Sequence, residues 1–204
     1  MHYLGFKEAL SRFTVFSLSD IRKVAPQFQP RRLCEWQAKG YIQKIIKGHY
    51  RFNDQELHEE TLFEIANRIY NPSYISLEMA LSYYRLIPEG VYGITSISTR
   101  RTYRFKTPIA EFIFHTLHRK YFFGYVIREY NGKHFKIASL EKAVLDFLYF
   151  NETLKTPSDF EALRLNKAVL ASDLNEKKLK AFLKRFGQPQ LTRRADAFLR
   201  AIKS

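Results

Sequence analysis

The sequence predicts an α+β protein of two modules, an N-terminal winged helix-turn-helix followed by a mixed α/β domain with a small, mainly antiparallel sheet. Three observations predict it. Residues 16–52 read as a short capped helix, a proline break, a second helix entered through a proline, and a hairpin. Between Tyr92 and Ala138, β-branched and aromatic residues crowd into short runs separated by turn signals. The charge also changes sign along the chain. Residues 1–54 hold ten Lys/Arg against four acids, and 55–71 carry Glu56, Glu59, Glu60 and Glu64 against Arg68 alone. Residues 85–136 are basic again, through Arg100, Arg101, Arg104, Lys106, Arg119, Lys120, Arg128, Lys133 and Lys136. The division expected is a DNA-binding module over 1–54, a connecting helix over 55–72 and an α+β domain over 73–204.

Each element has a local reason. Tyr3, Phe6, Leu10 and Phe13 recur at three- and four-residue steps, so a first helix buries one stripe. Thr14-Val15-Phe16 suits a short strand. Ser17 or Ser19 caps the second helix, with Asp20 in its first turn, and Pro26 stops it for want of an amide. Pro30 suits the first position of the third helix, where the missing N–H costs nothing. Ile42 to Phe52 forms a hairpin turning at Lys47-Gly48. An amphipathic helix follows over 55–70, packing Leu57, Phe63 and Ile65 to Ile69 with its glutamates outward, and Asn71-Pro72 ends it. Another helix begins in Tyr74–Pro88, capped by Ser76, and Gly90 and Gly93 bracket a turn. Strands are then expected at 94–98, 102–105, 112–115, 122–126 and 134–138, the last two joined by Asn131-Gly132, whose residues tolerate positive φ. Ser139-Leu140-Glu141 opens a helix burying Val144, Leu145, Leu148 and Tyr149; further helices start at Pro157, near Lys177–Phe186 and through Ala195–Ile202.

Composition bounds the partners. The chain has 204 residues, 46% hydrophobic and 16% aromatic, which supports folded cores and excludes disorder. A formal charge of +14 favours a polyanion, nucleic acid or an anionic membrane surface. No apolar run approaches the roughly 20 residues of a membrane span, and the start does not read as a signal peptide. One cysteine permits neither an intrachain disulfide nor a cysteine metal cluster. A cytoplasmic protein is expected.

In the third helix Leu33 and Trp36 face one side, while Arg31, Glu35 and Lys39 share the other, with Arg32 at its edge. Cationic forks on such a face reach guanine edges or phosphates in a major groove. Gln27 and Gln29 precede it, and Lys44, Lys47, His49 and Arg51 on the hairpin are expected against the flanking backbone. Trp36 and Cys34 fit a packing role. The competing reading is an interaction adaptor, whose winged helix and basic sheet recognise protein or structured RNA.

The segment from Tyr74-Ile75-Ser76-Leu77-Glu78 to Arg85-Leu86-Ile87-Pro88 resembles the hallmark of AbiEi-type antitoxins. So do Thr95-Ser96 with Arg100-Arg101, and Ile137-Ala138-Ser139-Leu140-Glu141-Lys142-Ala143-Val144-Leu145-Asp146. The resemblance covers nearly the whole chain and implies an N-terminal domain that represses its own promoter by binding inverted repeats; two copies are expected on such a repeat. It also implies a C-terminal domain that counters a nucleotidyltransferase-like toxin, AbiEii, without a stable complex.

Catalytic chemistry has little to stand on. His115 and His118 lack a glutamate that would complete a zinc-protease pattern. Glu141 and Asp146, five apart on a helix, fall on different faces. No catalytic residue, metal or cofactor is expected. Arg100, Arg104 and Lys106, on one face of a strand, with Arg101 on the other, form a basic surface for RNA, DNA or an acidic protein, or else a solvated sheet face. The basic amphipathic helix over 176–186 suits packing onto the domain through Leu179, Phe182, Leu183 and Phe186.

Overall fold

Local signals account for the first elements. In a computed structural model, which describes residues 2–88 and 92–203, helix α1 (Tyr3–Leu10) buries Phe6 and Leu10, and β1 (Phe16–Ser17) follows. Ser17 caps α2 (Leu18–Val24) in a reciprocal capping box with Asp20, so two of the helix's orphan amides are satisfied. The chain leaves α2 two residues before Pro26 and enters α3 (Arg31–Ala38) with Pro30 at the N-cap. Strands β2 (Ile42–Ile46) and β3 (His49–Phe52) form the hairpin, with Gly48 at φ +83° in its turn. Together with β1 they make a three-stranded antiparallel sheet, β1-β3-β2. Phe6, Leu10, Phe16, Ile21, Phe28, Leu33, Trp36, Ile42 and Phe52 form its own small core.

Helix α4 (Glu59–Ile69) was expected to connect the modules with its glutamates outward; instead it lies inside the larger one. Phe63, Ile65, Ala66 and Ile69 are buried, Glu64 is buried with them, and Leu57 is exposed just before the helix begins. Beyond it come β4 (Ser73–Ile75), α5 (Leu77–Tyr83), β5 (Ile94–Ser98), β6 (Tyr103–Lys106), β7 (Glu111–Thr116), a 3-10 turn (Arg119–Tyr121), β8 (Tyr125–Tyr130) and β9 (Lys133–Ala138). Five helices close the chain: α6 (Leu140–Phe150), α7 (Pro157–Glu161), α8 (Lys167–Asp173), α9 (Glu176–Phe186) and α10 (Pro189–Lys203). The expected turn residue Gly90 lies outside the described residues.

The second sheet corrects the expectation of a small, mainly antiparallel one. It has six strands in the order β6-β7-β5-β4-β9-β8 and is mixed, since β5 pairs with β7 and β4 with β9 in parallel. The strand at its centre, β4, falls where a helix was expected to begin. Three residues, all buried, show no alternation that could betray a strand. Ser76 sits at the N-cap of α5 without capping it, because its hydroxyl is turned to Asp146. Phe122 and Phe123 are not strand either; Phe123 packs against Phe182 and Phe186 of α9, so the basic helix lies on the domain through its apolar side. Among the described residues, no helix is long and apolar enough to cross a membrane.

Candidate nucleic-acid interface

Packing aims the outer face of α3. Trp36 lies 4.4 Å from Phe6 and 5.7 Å from Phe28, ring centre to ring centre, and Leu33 is buried beside them. With that side of the helix anchored, Arg31, Glu35 and Lys39 face solvent, as does Cys34. Arg31 and Glu35 are 85% and 52% exposed and form an i,i+4 pair at 3.5 Å, a contact weak enough to be given up for a phosphate or base. Phe28 is drawn into the core between two exposed amides, so Gln27 and Gln29 project outward. Ala25, Pro26, Gln27, Phe28, Gln29 and the half-exposed Arg32 line a recess of about 470 Å³.

The hairpin, packed against α3 through β2, divides its four expected contacts. Lys44 and Lys47 are exposed. His49 is half-buried; burial pushes its pKa down, with the Lys47 backbone and the Arg68 and Asp20 charges as smaller influences, and its Nδ1 is buried without a hydrogen-bond partner among the described residues. Arg51 does not lie where a phosphate clamp was expected. Its side chain is buried and its guanidinium donates to the Gln55 carbonyl, which ties the hairpin to the following loop.

The C-terminal basic residues do not form one strip. Strand β6 starts at Tyr103, so only Arg104 and Lys106 share a strand face, and Arg100 and Arg101 precede it. Arg100 lies over the Tyr70 ring, 4.3 Å from its centre, and the Arg101 carbonyl accepts from the Tyr70 hydroxyl. Arg104 stands 3.6 Å from Glu111, which offsets its charge, while Lys106 is exposed.

One polar cluster went unanticipated. Lys142 and Asp146, one helical turn apart on α6, are completely buried and ion-paired. Lys142 also donates to Tyr74 Oη at 2.9 Å, and the hydroxyls of Tyr74 and Ser76 donate to Asp146 at 2.9 and 2.8 Å. Burial lowers the Lys142 pKa against the opposing pull of Asp146, and burial raises that of Tyr74 well above its ordinary value. The i,i+4 Lys–Asp spacing around the apolar run Ala143-Val144-Leu145 was the available signal. Glu141 and Asp146 do part company: Glu141 accepts from Ser139 Oγ at 2.9 Å and pairs with Lys178 at 2.7 Å. His115 packs on Phe150, and His118 Nδ1 accepts from the Lys120 amide. Among the described residues, no three His, Cys, Asp or Glu side chains converge as metal ligands.

Tyr74, Ser76, Thr95, Lys142 and Asp146, all within the segments that carry the AbiEi resemblance, therefore hold the core together; Thr95 Oγ1 donates to the Ser76 carbonyl at 2.7 Å and accepts from Met79 N at 3.1 Å. No protein-family model matches the chain, and a search of curated proteins finds no match either.

Proposed function

We propose that the N-terminal module is a winged helix-turn-helix that binds double-stranded DNA, and that the protein is an autorepressor and antitoxin of an AbiE-like system with no enzymatic activity of its own. One observation carries the DNA reading: Gln27, Gln29, Arg31 and Lys39 project from the α2–α3 unit, and Lys44 and Lys47 from the hairpin packed against it. In this reading α3 enters the major groove, Arg31 and Gln29 meet base edges, and Lys44 and Lys47 hold phosphates. Arg51 is excluded from the contact set by its burial. Two copies occupy an inverted repeat in the protein's own promoter. The antitoxin part rests on the sequence resemblance alone, and its target is a nucleotidyltransferase-like toxin met without a stable complex.

Fluorescence anisotropy over a salt series, on upstream DNA and a scrambled duplex, tests the DNA reading. The expected outcome is a preference for the upstream duplex that persists at physiological salt. Lys47→Ala should lower the slope of log K against log salt by about 0.9, the share of a single neutralised phosphate. Arg31→Ala should cost about 1–3 kcal/mol on the preferred site and relax discrimination at one base pair. Equal affinity for both duplexes, vanishing as salt rises, would leave charge acting alone and favour the adaptor that binds protein or structured RNA. An Arg31→Ala/Lys47→Ala double variant should still protect cells that co-express the toxin. Loss of protection by that folded variant would contradict an antitoxin activity housed in the C-terminal domain.

A further inference from the structure

Strand β8 is an outer strand of the six-stranded sheet, and among the described residues no strand pairs with its other edge, which is built for pairing. Its register against β9 runs unbroken from Tyr125↔Ala138 to Tyr130↔Lys133, closed by a tight turn with Asn131 and Gly132 both at positive φ. Two hydrogen bonds fix which backbone groups face outward. Ser139 N donates to the Gly124 carbonyl at 2.9 Å, so Gly124 points into the β8–β9 ladder. Lys136, the register partner of Ile127, turns its N–H away from β8 to Asn67 Oδ1 at 2.6 Å. Backbone direction alternates along a strand, so Val126, Arg128 and Tyr130 bond to β9 while Tyr125, Ile127 and Glu129 present N–H and C=O to solvent. Proteins ordinarily guard such an edge with proline, a bulge or an inward charge. Here it carries Ile127, 63% exposed, at its middle.

We propose that the occupant of this edge is a second copy of the chain, its β8 antiparallel to the first across a two-fold axis at Ile127. Charge selects that register. The outward-facing backbone groups allow two-fold axes at Ile127, Arg128 or Glu129 over most of the strand. An axis at Arg128 sets arginine against arginine, and one at Glu129 sets glutamate against glutamate, both unfavourable. Axes nearer Tyr125 shorten the overlap. The Ile127 axis opposes no like charges: Ile127 meets its copy, Val126 meets Arg128, and Tyr125 meets Glu129. It also carries each Glu129 toward the partner's Lys136, whose Nζ lies over the Tyr125 ring at 5.8 Å. About six backbone hydrogen bonds form, and two six-stranded sheets become one.

The hairpin tip beyond β8 touches the N-terminal module, since Lys133 donates to the Arg12 carbonyl. In the dimer the two tips stand roughly 26 Å apart, eight residues of strand. That spacing is on the order of the ~34 Å between successive major-groove faces that two attached modules would have to span. This last step rests on the DNA reading; the dimer does not.

Light scattering on the purified full-length protein, without DNA and at tens of micromolar, is expected to give twice the 24.2 kDa chain mass. Ile127→Pro removes only an outward N–H, which an edge strand tolerates, so it should halve that mass with an unchanged circular dichroism spectrum. Should that variant misfold, cysteine crosslinking decides. In a Cys34→Ser background, which removes the exposed native thiol, Ile127→Cys should oxidise to a covalent dimer and Arg128→Cys should not. A monomeric wild type, an open-ended series of masses, a dimer indifferent to a folded Ile127→Pro, or crosslinking through position 128 in place of 127 overturns the proposal. Each of those results leaves operator binding, measured separately, untouched.

Discussion

Lys142 is a charged side chain with no contact with water, and its partners decide what its loss costs. Lys142→Met leaves Asp146 buried with two hydroxyl donors and no cation. Breaking one side of a buried pair costs about 3–5 kcal/mol, whereas replacing both sides with apolar groups is far milder. Lys142→Met/Asp146→Leu should therefore recover at least about 2 kcal/mol relative to Lys142→Met alone in urea unfolding, with Tyr74 and Ser76 losing an acceptor. Equal losses in the single and double variants would show that the pair itself carries little energy. Two other carboxylates set the response to acid. Burial opposes the charge of Asp20, but hydrogen bonds with Ser17 and the Arg68 and Lys23 charges outweigh it, so its pKa falls. Glu141 is likewise lowered against its burial, by Lys178, its own backbone and Ser139. A carboxylate depressed by folding adds stability that is complete above the ordinary carboxylate range and vanishes as pH drops through the folded-state pKa. Asp20→Asn and Glu141→Gln should each lose about 1 kcal/mol at neutral pH and approach wild type as pH falls through the lowered folded-state pKa of each carboxylate. A constant deficit across the titration would rule out this linkage.

At the scale of elements, the hairpin shows how one strand divides its labour. Lys47 stands exposed in the turn, whereas Arg51 stitches β3 to the loop at Gln55. Arg51→Ala should thus destabilise the module by about 1–3 kcal/mol through the missing hydrogen bond of a charged group and leave the salt slope of the proposed DNA binding unchanged, the reverse of Lys47→Ala. A lowered slope in Arg51→Ala would return it to the phosphate contacts. Capping and punctuation made the N-terminal elements legible: Ser17 with Asp20, Pro26, Pro30 and Lys47-Gly48 all act locally, where a single sequence speaks. Hairpin β8–β9 was legible through Asn131-Gly132 for the same reason. What stayed hidden is non-local. Strand β4 owes its place at the centre of the sheet to neighbours 20 and 60 residues on, and the parallel pairing of β5 with β7 leaves no short-range mark. Arg51 stands between the aromatics Tyr50 and Phe52, as a surface cation on a strand would, and only the Gln55 carbonyl explains its burial. The outer face of α3 was legible because an amphipathic helix advertises both its sides.

Across the whole molecule, the N-terminal module lends residues to the larger core in a way that bears on how the two unfold. Val15 and Ile45 belong to the N-terminal module in sequence but pack in the larger core, against which α4 is buried. Around them run polar contacts: Thr14 donates to Glu64, and Arg68 lies 3.6 Å from Asp20, 3.7 Å from Glu64 and 4.9 Å from the Phe13 ring centre. Asp20 also completes the capping box of α2, so this seam reaches the helix that precedes α3. The small core has few residues of its own and gains stability from the large one, as expected where isolated small cores are marginal. Trp36, the single tryptophan, sits in the small core and reports on it alone, while far-ultraviolet circular dichroism reports on every helix. In the wild type the two signals should melt together in one transition, the mark of two-state behaviour. Ile45→Ala removes apolar volume from the seam without touching the small core, at a cost of about 2–5 kcal/mol. It should pull the Trp36 transition below that of the dichroism and so separate the modules. Coincident transitions in Ile45→Ala, shifted together, would mean that coupling runs through the α4 ion pairs, and Arg68→Ala would then be the variant that parts them. A wild type whose Trp36 signal melts first would deny the shared core any role in cooperativity, and α3 would be held only by its own module.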